Sequence, residues 1–215
     1  MIDAIVFDLD GVLVDTEQVW DEVREALVRE RGGRWHDGAQ ATMMGMSSSE
    51  WSRYMHEELG LAEQPADIND EVVRRMLARY RERLPLLPGA VEAVERMAAA
   101  FPLAVGSSSN RPLIEAVLAS AGIAARFAAT VSSEEVARGK PAPDVYLEAA
   151  RRLGVDAARC AAVEDSANGI RSAHAARMRV LALPNTHYPP PPDVLALADE
   201  VLAGLDELTP ARVRR

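Results

Sequence analysis

The stretch IVFDLDGVLVD, residues 5–15, decides the fold and raises the question of function. It places two aspartates, Asp8 and Asp10, directly after an apolar run that predicts a buried β-strand. Acidic side chains are poorly accommodated at the end of such a strand. Each aspartate could form a turn or cap a helix, or the two could belong to a reactive centre. The rest of the chain decides between these interpretations.

Short apolar runs recur along the chain and alternate with amphipathic segments. Helices are predicted at 111–121, with Asn110 as a possible cap, and at 144–153. Strands are predicted at 4–7, 103–106, 128–131, 160–163, 180–183 and, more weakly, 200–202. This alternation favours an α/β fold with a Rossmann-like three-layer core and a mostly parallel sheet.

The segment 16–84 departs from this alternation, because it contains helical patterns with no strand between them. Helices are predicted at 18–31, capped by Asp15, and at 50–59 and 70–84. We therefore expect a small α-helical cap domain at 16–84, inserted after strand 1 into a Rossmann-like core formed by 1–15 and 85–215. An insert at that point would lie over the carboxyl ends of the strands, where open α/β sheets bind ligands.

Composition narrows the class of protein. The chain has 215 residues with 24 basic and 33 acidic side chains, a formal charge of −9, which disfavours nucleic acid or an anionic membrane as the main partner. No apolar run is long enough for a membrane span, and no basic region precedes the first strand, so we expect neither an anchor nor a signal peptide, and a cytoplasmic location. The single cysteine, Cys160, is expected to be buried and inert.

Residues with chemical potential follow four of the predicted strands. Asp8-Leu-Asp10-Gly follows the first, and a serine cluster at 107–109 follows the second. Lys140, the only lysine in the chain, follows the third, and the pair Glu164-Asp165 follows the fourth. Because parallel strands end at one edge of a sheet, these side chains are expected to converge there.

Such a set has a chemical use. Clustered carboxylates repel one another unless a cation binds, and Mg²⁺ prefers oxygen ligands. A carboxylate can also attack phosphorus to form an aspartyl-phosphate, provided that a cation and a lysine offset the negative charge of the phosphate. Serine hydroxyls could hold the phosphoryl oxygens, and Gly11 would let the backbone turn close to them.

In their order and spacing, DLDGVLVD, VGSSSN, GKPAPD and VEDSANGI resemble the haloacid dehalogenase superfamily across nearly the whole chain. The helical insert resembles the subfamily of phosphoglycolate phosphatases, sugar-phosphate phosphatases and beta-phosphoglucomutase. The resemblance implies that Asp8 is the nucleophile, Asp10 the general acid and base, and Lys140 the charge-neutralising lysine. It implies that Ser107 binds the phosphate, with Gly11, Ser108 and Asn110 as further phosphate contacts. It also implies that Asp8, the Asp10 carbonyl and Asp165 bind Mg²⁺, supported by Glu164.

The resemblance favours Mg²⁺-dependent hydrolysis of a small phosphorylated metabolite. A phosphomutase is the main alternative, but the positions of its cap histidine and arginine correspond to Trp20 and Ser48 here. A 2-haloacid dehalogenase and a non-catalytic phosphate-binding protein are less favoured alternatives. Trp20, Trp35 and Trp51 are expected to pack within the cap. The sequence identifies neither the phosphate ester nor the oligomeric state.

Overall fold

The apolar run before Asp8 forms a central strand of a six-stranded sheet in the computed structural model, which describes residues 1–214. The strands are β1 (Ala4–Phe7), β2 (Leu103–Ser107), β3 (Phe127–Ser132), β4 (Cys160–Glu164), β5 (Arg179–Ala182) and β6 (Glu200–Val201). Their order is β3-β2-β1-β4-β5-β6, and each neighbouring pair is parallel. The predicted α/β fold is confirmed, and each predicted strand agrees with the structure to within one residue at its ends.

Ten α-helices accompany the strands in the described residues. They are α1 (Glu17–Glu30), α2 (Ala39–Met43), α3 (Ser48–Glu57), α4 (Pro65–Glu82), α5 (Ala90–Ala98), α6 (Arg111–Ser120), α7 (Asp144–Leu153), α8 (Ala167–Ala175), α9 (Pro192–Leu195) and α10 (Pro210–Val213). Helix α7 matches its prediction and ends at Leu153, and the φ of 70° at the next residue, Gly154, allows the left-handed turn that stops the helix.

Helices cover both faces of the sheet. Successive side chains of a strand point to opposite faces, so Ile5 and Phe7 pack with α5 and α6 while Val6 packs with α7 and α8. Because helices cover both faces, every residue of β1 is buried. The result is the three-layer core expected from the sequence.

Helices α1 to α4 all lie between β1 and β2, as the strand-free pattern predicted. Two details of that prediction are wrong. Asp15 does not cap α1, because the N-cap residue is Thr16, whose hydroxyl bonds to Asp10 instead of to the helix. Helix α4 begins at Pro65 rather than at residue 70, since proline at the first helical position has the φ that a helix requires.

The chain enters and leaves the helical segment at one place. Val14 and Leu86 form an antiparallel bridge, the Asp15 N–H donates to the carbonyl of Pro85 at 2.7 Å, and the Leu87 N–H donates to that of Leu13 at 3.0 Å. The two connections therefore run side by side, close to the proposed boundaries at 15/16 and 84/85. The division into a core and a cap domain remains a prediction.

Two expectations from composition can be compared with the structure. Cys160 is buried, and burial raises the pKa of its thiol to about 11, so the thiol is protonated and inert near neutral pH. Within residues 1–214, none of the helices combines the length and the apolar character that crossing a membrane requires.

Candidate active site

The register of the sheet brings Asp8 and Glu164 together. Phe7 pairs with Val163, and the Asp8 N–H donates to the Val163 carbonyl at 2.9 Å, so Asp8, which follows β1, lies beside Glu164, the last residue of β4. Asp8, Glu164 and Asp165 are each at most 7% exposed, and one carboxylate oxygen of each lies within 4.8 Å of the others. Three of the predicted site residues thus form one buried acidic cluster.

Lys140 supplies the positive charge of this cluster. Its Nζ lies 3.0 Å from Asp8 Oδ1 and 2.5 Å from Glu164 Oε1. Burial lowers the pKa of Lys140, but the attraction of Asp8 and Glu164 outweighs that effect and raises it above its usual range. The ammonium therefore stays charged although the residue is only 2% exposed.

Both oxygens of Glu164 are occupied by donors. Oε1 accepts from Lys140 Nζ and from the Tyr146 hydroxyl at 2.7 Å, and Oε2 accepts the N–H groups of Asp165 and Ser166 at 3.0 and 3.1 Å. A Cβ at Gly169 would lie 1.8 Å from Oε1, so this packing requires a glycine there. These contacts suit a residue that positions Lys140 better than one that offers a free ligand atom.

Asp165 is held by fewer groups. Its Oδ2 accepts a hydrogen bond from Asn185 Nδ2 at 3.1 Å. Gly11 lies directly against it, with a φ of 75° and no room for a side chain, since a Cβ would lie 1.8 Å from Asp165 Oδ2. The sequence suggested that Gly11 allows close approach to a phosphate, whereas the close neighbour in the structure is the Asp165 carboxylate.

Three donors from separate parts of the chain hold the carboxylate of Asp10. Oδ1 accepts from the Thr16 hydroxyl and from Trp20 Nε1 at 3.1 Å, and Oδ2 accepts from Ser109 Oγ at 2.6 Å. The side chain of Asp10 is thereby fixed next to the start of α1 and the end of β2.

The predicted phosphate contacts are not all alike. Ser108 and Ser109 line the cavity beside Asp8, and the Ser108 hydroxyl donates to the carbonyl of Gly45 at 2.9 Å. Ser107 is fully buried and its oxygen accepts the Ser109 N–H at 3.0 Å, while its own O–H has no acceptor among the described residues. Its role as a phosphate ligand stays a prediction.

Asn110 takes part in other contacts. Its Nδ2 donates to Glu134 Oε1 at 2.7 Å and to Asn69 Oδ1 at 2.9 Å, and the residue does not line the cavity. Asn110 is the N-cap residue of α6, as the sequence predicted, although its side chain makes no capping hydrogen bond. Ser48 similarly donates to Glu134 Oε1, at 3.1 Å. Nothing in these contacts favours phosphate binding by Asn110.

A cavity of about 40 Å³ joins the acidic cluster to the helical segment. Core residues line one side. The lining residues from the helical segment are Glu17, Trp20, Arg24, Met43, Met44, Gly45, Met46 and Trp51. The Trp20 and Trp51 rings pack edge to face at 6.0 Å, as expected for packing within this segment, yet both also border the cavity. Trp35 is partly buried against the same core.

The residues present fit a divalent cation. Burial raises the pKa of both Asp8 and Asp165, and the attraction of Lys140 on Asp8 does not offset this. Asp8, Glu164 and Asp165 carry three negative charges when ionised, and Lys140 returns only one. A bound cation would stabilise the ionised carboxylates, and an all-oxygen ligand set suits a hard ion such as Mg²⁺.

Sequence reasoning missed several residues of this site. Ser109, Thr16 and Trp20 hold Asp10, and Asn185 holds Asp165. Only Ser109, two residues after Ser107 in a polar cluster, gave a signal in the sequence. Thr16 and Trp20 lie at and near the start of α1, and Asn185 lies in a loop. No local sequence pattern predicts where these three side chains point.

Comparison with known proteins gives consistent matches. The family model for haloacid dehalogenase-like hydrolases matches residues 2–177. Hexitol phosphatase B of Escherichia coli (strain K12) is 36% identical over 217 residues, covering 96% of this chain and 94% of that protein. The crystal structure of CbbY from Rhodobacter sphaeroides in complex with phosphate has a TM-score of 0.87 at 28% identity, with each chain fully covered. A mutant of the same protein in complex with xylulose-(1,5)bisphosphate has a TM-score of 0.84 at 28% identity, covering 99% of both chains.

Proposed function

We propose that this chain removes phosphate from a small sugar or polyol phosphate. The chain belongs to the haloacid dehalogenase-like hydrolase family and is a phosphoric monoester hydrolase. We further propose that the reaction passes through an aspartyl-phosphate on Asp8. The observation that carries the proposal is a buried carboxylate, Asp8, held 3.0 Å from the ammonium of Lys140 at the wall of a cavity.

In the first step, an oxygen of Asp8 attacks phosphorus, and the bond from phosphorus to the ester oxygen breaks. Asp10 donates a proton to the departing oxygen, so the alcohol leaves in neutral form. Lys140 faces the nucleophile and offsets negative charge on the phosphoryl oxygens. The Ser107 hydroxyl, whose proton has no acceptor among the described residues, would donate to those oxygens, and the Ser108 hydroxyl would do so after leaving the Gly45 carbonyl.

In the second step, Asp10, now ionised, takes a proton from a water molecule. The water oxygen attacks phosphorus, the acyl-phosphate bond breaks, and inorganic phosphate leaves while the Asp8 carboxylate is restored. The hydrogen bonds from Trp20 and Ser109 keep Asp10 in one orientation for both proton transfers.

Mg²⁺ would be held by the carboxylates of Asp8 and Asp165 and by the backbone carbonyl of Asp10. When bound, it would offset the charge of the phosphoryl group and keep the carboxylates ionised. The oxygens of Glu164 already accept five hydrogen bonds, so Glu164 would act on the phosphoryl group indirectly, by fixing Lys140.

The helical segment would act as the cap. A cavity of about 40 Å³ has room for a few water molecules but not for a sugar phosphate. The segment would therefore move away from the core to admit substrate and return to exclude water during the first transfer. The paired connections at Val14 and Leu86 are where such a movement would be accommodated.

The test compares wild type with Asp8→Asn, using release of phosphate from p-nitrophenyl phosphate and from a hexitol 6-phosphate. We expect wild-type turnover that requires Mg²⁺ and is abolished by EDTA, and a loss of at least about 1,000-fold in the variant, since the nucleophile is gone. Asp67→Asn, an exposed aspartate of α4, is the matched control and should retain full activity.

Beryllium fluoride, an acyl-phosphate mimic, should bind at Asp8 in wild type and not in Asp8→Asn. Full activity of Asp8→Asn, or turnover independent of any divalent cation, would contradict the proposal. A beryllium fluoride adduct on another residue would assign the nucleophile elsewhere.

A further inference from the structure

A second polar group lies in the helical segment, and two of its three members border the cavity. Its members are Glu17 and Arg24 of α1 and Gln40 of α2, which are 8%, 4% and 4% exposed. Glu17 and Arg24 line the same cavity as Asp8. None of the three has a part in the proposed proton or phosphoryl transfers.

Gln40 links the other two residues through its amide. Its Nε2 donates to Glu17 Oε2 at 3.1 Å, and its Oε1 accepts from Arg24 Nη1 at 3.1 Å. The amide therefore fixes a carboxyl and a guanidinium in set positions without joining them directly. A site prepared in this way offers both a donor and an acceptor to a ligand.

The guanidinium of Arg24 has donors to spare. Its central carbon lies 4.4 Å from the ring centre of Trp20 and 4.8 Å from that of Trp51, so both indoles flank it. Of its five N–H donors, only one on Nη1 has an acceptor in residues 1–214, and the buried Nε has no partner. Burial lowers the pKa of Arg24 to about 10, which leaves the side chain charged near neutral pH.

The carboxyl of Glu17 complements the guanidinium of Arg24, because it can accept hydrogen bonds. Burial, and secondly the charge of Asp10, raise the pKa of Glu17 to about 7, although Arg24 and the bond from Gln40 act in the opposite direction. Near neutral pH its carboxyl is present in both forms, and it can accept or donate a hydrogen bond.

We propose that Glu17 and Arg24, held in position by Gln40, form a hydroxyl subsite, which binds the hydroxyl groups of a neutral sugar or polyol chain and selects monophosphates against bisphosphates. This inference rests on the proposed phosphatase function. Hydroxyl groups both donate and accept, so they match a site that combines a guanidinium with a carboxyl. A site built to bond hydroxyl groups discriminates strongly against substrates that lack them.

The charges around the cavity argue against a second phosphate group. Arg24 and Lys140 are the only cations among its lining residues, and Lys140 is already paired with Asp8 and Glu164. A distal phosphate dianion in the hydroxyl subsite would have Arg24 alone as a counter-ion and would face the carboxyls of Glu17 and Asp10. Uncharged hydroxyl groups carry no such electrostatic cost.

The experiment measures kcat/KM for a hexitol 6-phosphate, a hexose 1,6-bisphosphate and p-nitrophenyl phosphate, which has no hydroxyl groups. Wild type should prefer the hexitol phosphate to the bisphosphate by at least tenfold. In Arg24→Gln and in Glu17→Gln, the ratio of kcat/KM for hexitol phosphate to that for p-nitrophenyl phosphate should fall by about 10- to 100-fold, because a hydrogen bond to a charged group is lost. Arg24→Lys, which keeps the charge, should lose less.

Arg29→Gln and Glu25→Gln are the matched controls, since both residues lie on α1 and pair with each other at the surface. Their ratios should stay at the wild-type value. An unchanged ratio in Arg24→Gln and Glu17→Gln, or a wild-type preference for the bisphosphate, would overturn the inference. Absence of any Mg²⁺-dependent turnover of p-nitrophenyl phosphate by wild type would instead overturn the phosphatase proposal.

Discussion

The indole Nε1 of Trp20 donates a hydrogen bond of 3.1 Å to Oδ1 of Asp10. Trp20 lies on α1 in the helical segment, whereas Asp10 follows β1 in the sheet. A residue of the helical segment therefore orients the proposed acid and base of the core. Since this bond can exist only while the segment lies against the core, it makes the position of Asp10 depend on closure.

Trp20→Phe should lower kcat by about tenfold, because it removes one donor to a carboxylate while keeping an aromatic ring in the same packing position. KM for p-nitrophenyl phosphate should change much less, because Trp20 positions Asp10. Steady-state kinetics on purified variants would check this. Trp35→Phe is the control, since Trp35 does not border the cavity and its variant should retain wild-type kcat. A larger change in KM than in kcat would assign Trp20 to substrate binding.

Gly11 and Gly32 both have a φ of 75°, but only Gly11 lies against another group. Gly32→Ala should therefore cost about 1 kcal/mol of unfolding free energy, from backbone strain alone. Gly11→Ala carries the same strain and also places its Cβ 1.8 Å from Asp165 Oδ2. It should be clearly less stable than Gly32→Ala in urea unfolding and should need more Mg²⁺ for activity. Equal stability of the two variants would show that Asp165 can move aside without cost.

The sequence predicted the sheet and the acidic cluster because both depend on local patterns. Strand ends are marked by apolar runs followed by polar residues, and a parallel sheet brings such ends to one edge. That reasoning places Asp8, Lys140, Glu164 and Asp165 together before any contact is known. Their mutual distances follow from the register of β1 with β4, which the sequence does not contain.

The rest of the site depends on contacts between distant residues. Ser109 is 99 residues from Asp10, and Gln40 is 16 residues from Arg24 on a different helix. The spacing of apolar residues predicts that one face of α1 is buried. It does not tell whether that face only packs against other helices or also lines a polar cavity, as Trp20 and Arg24 do. A buried arginine in an amphipathic pattern resembles the solvated arginines of α4, which pair with surface glutamates.

Glu164 and Asp165 are adjacent in sequence but should respond differently to loss of charge. Asp165→Asn should raise the Mg²⁺ concentration for half-maximal activity by at least about tenfold, because a hard cation binds a carboxylate better than an amide. Glu164→Gln should lower kcat by disturbing Lys140 while changing the Mg²⁺ requirement less. Mg²⁺ titrations followed by activity and by the shift in melting temperature would measure both effects. The opposite pattern would make Glu164 the metal ligand.

Glu17 should make the stability of the protein depend on pH. Burial raises its pKa from about 4.5 to about 7, so between these values the folded protein binds more protons at this site than the unfolded chain does. Stability contributed by this residue is therefore present at pH 4.5 and is lost as pH rises towards 7. The difference corresponds to about 3 kcal/mol when complete.

Glu17→Gln removes this penalty, because an amide has no charge to bury. Relative to wild type, the variant should gain about 3 kcal/mol of unfolding free energy at pH 8 compared with pH 4.5. The raised pKa on which this value rests already includes the opposing attraction of Arg24. Urea unfolding at both pH values would measure the difference. In Glu25→Gln, the corresponding change on the exposed face of the same helix, the difference from wild type should be nearly the same at both pH values. A Glu17→Gln variant that behaves like Glu25→Gln would show that Glu17 ionises normally and is solvated in the folded protein.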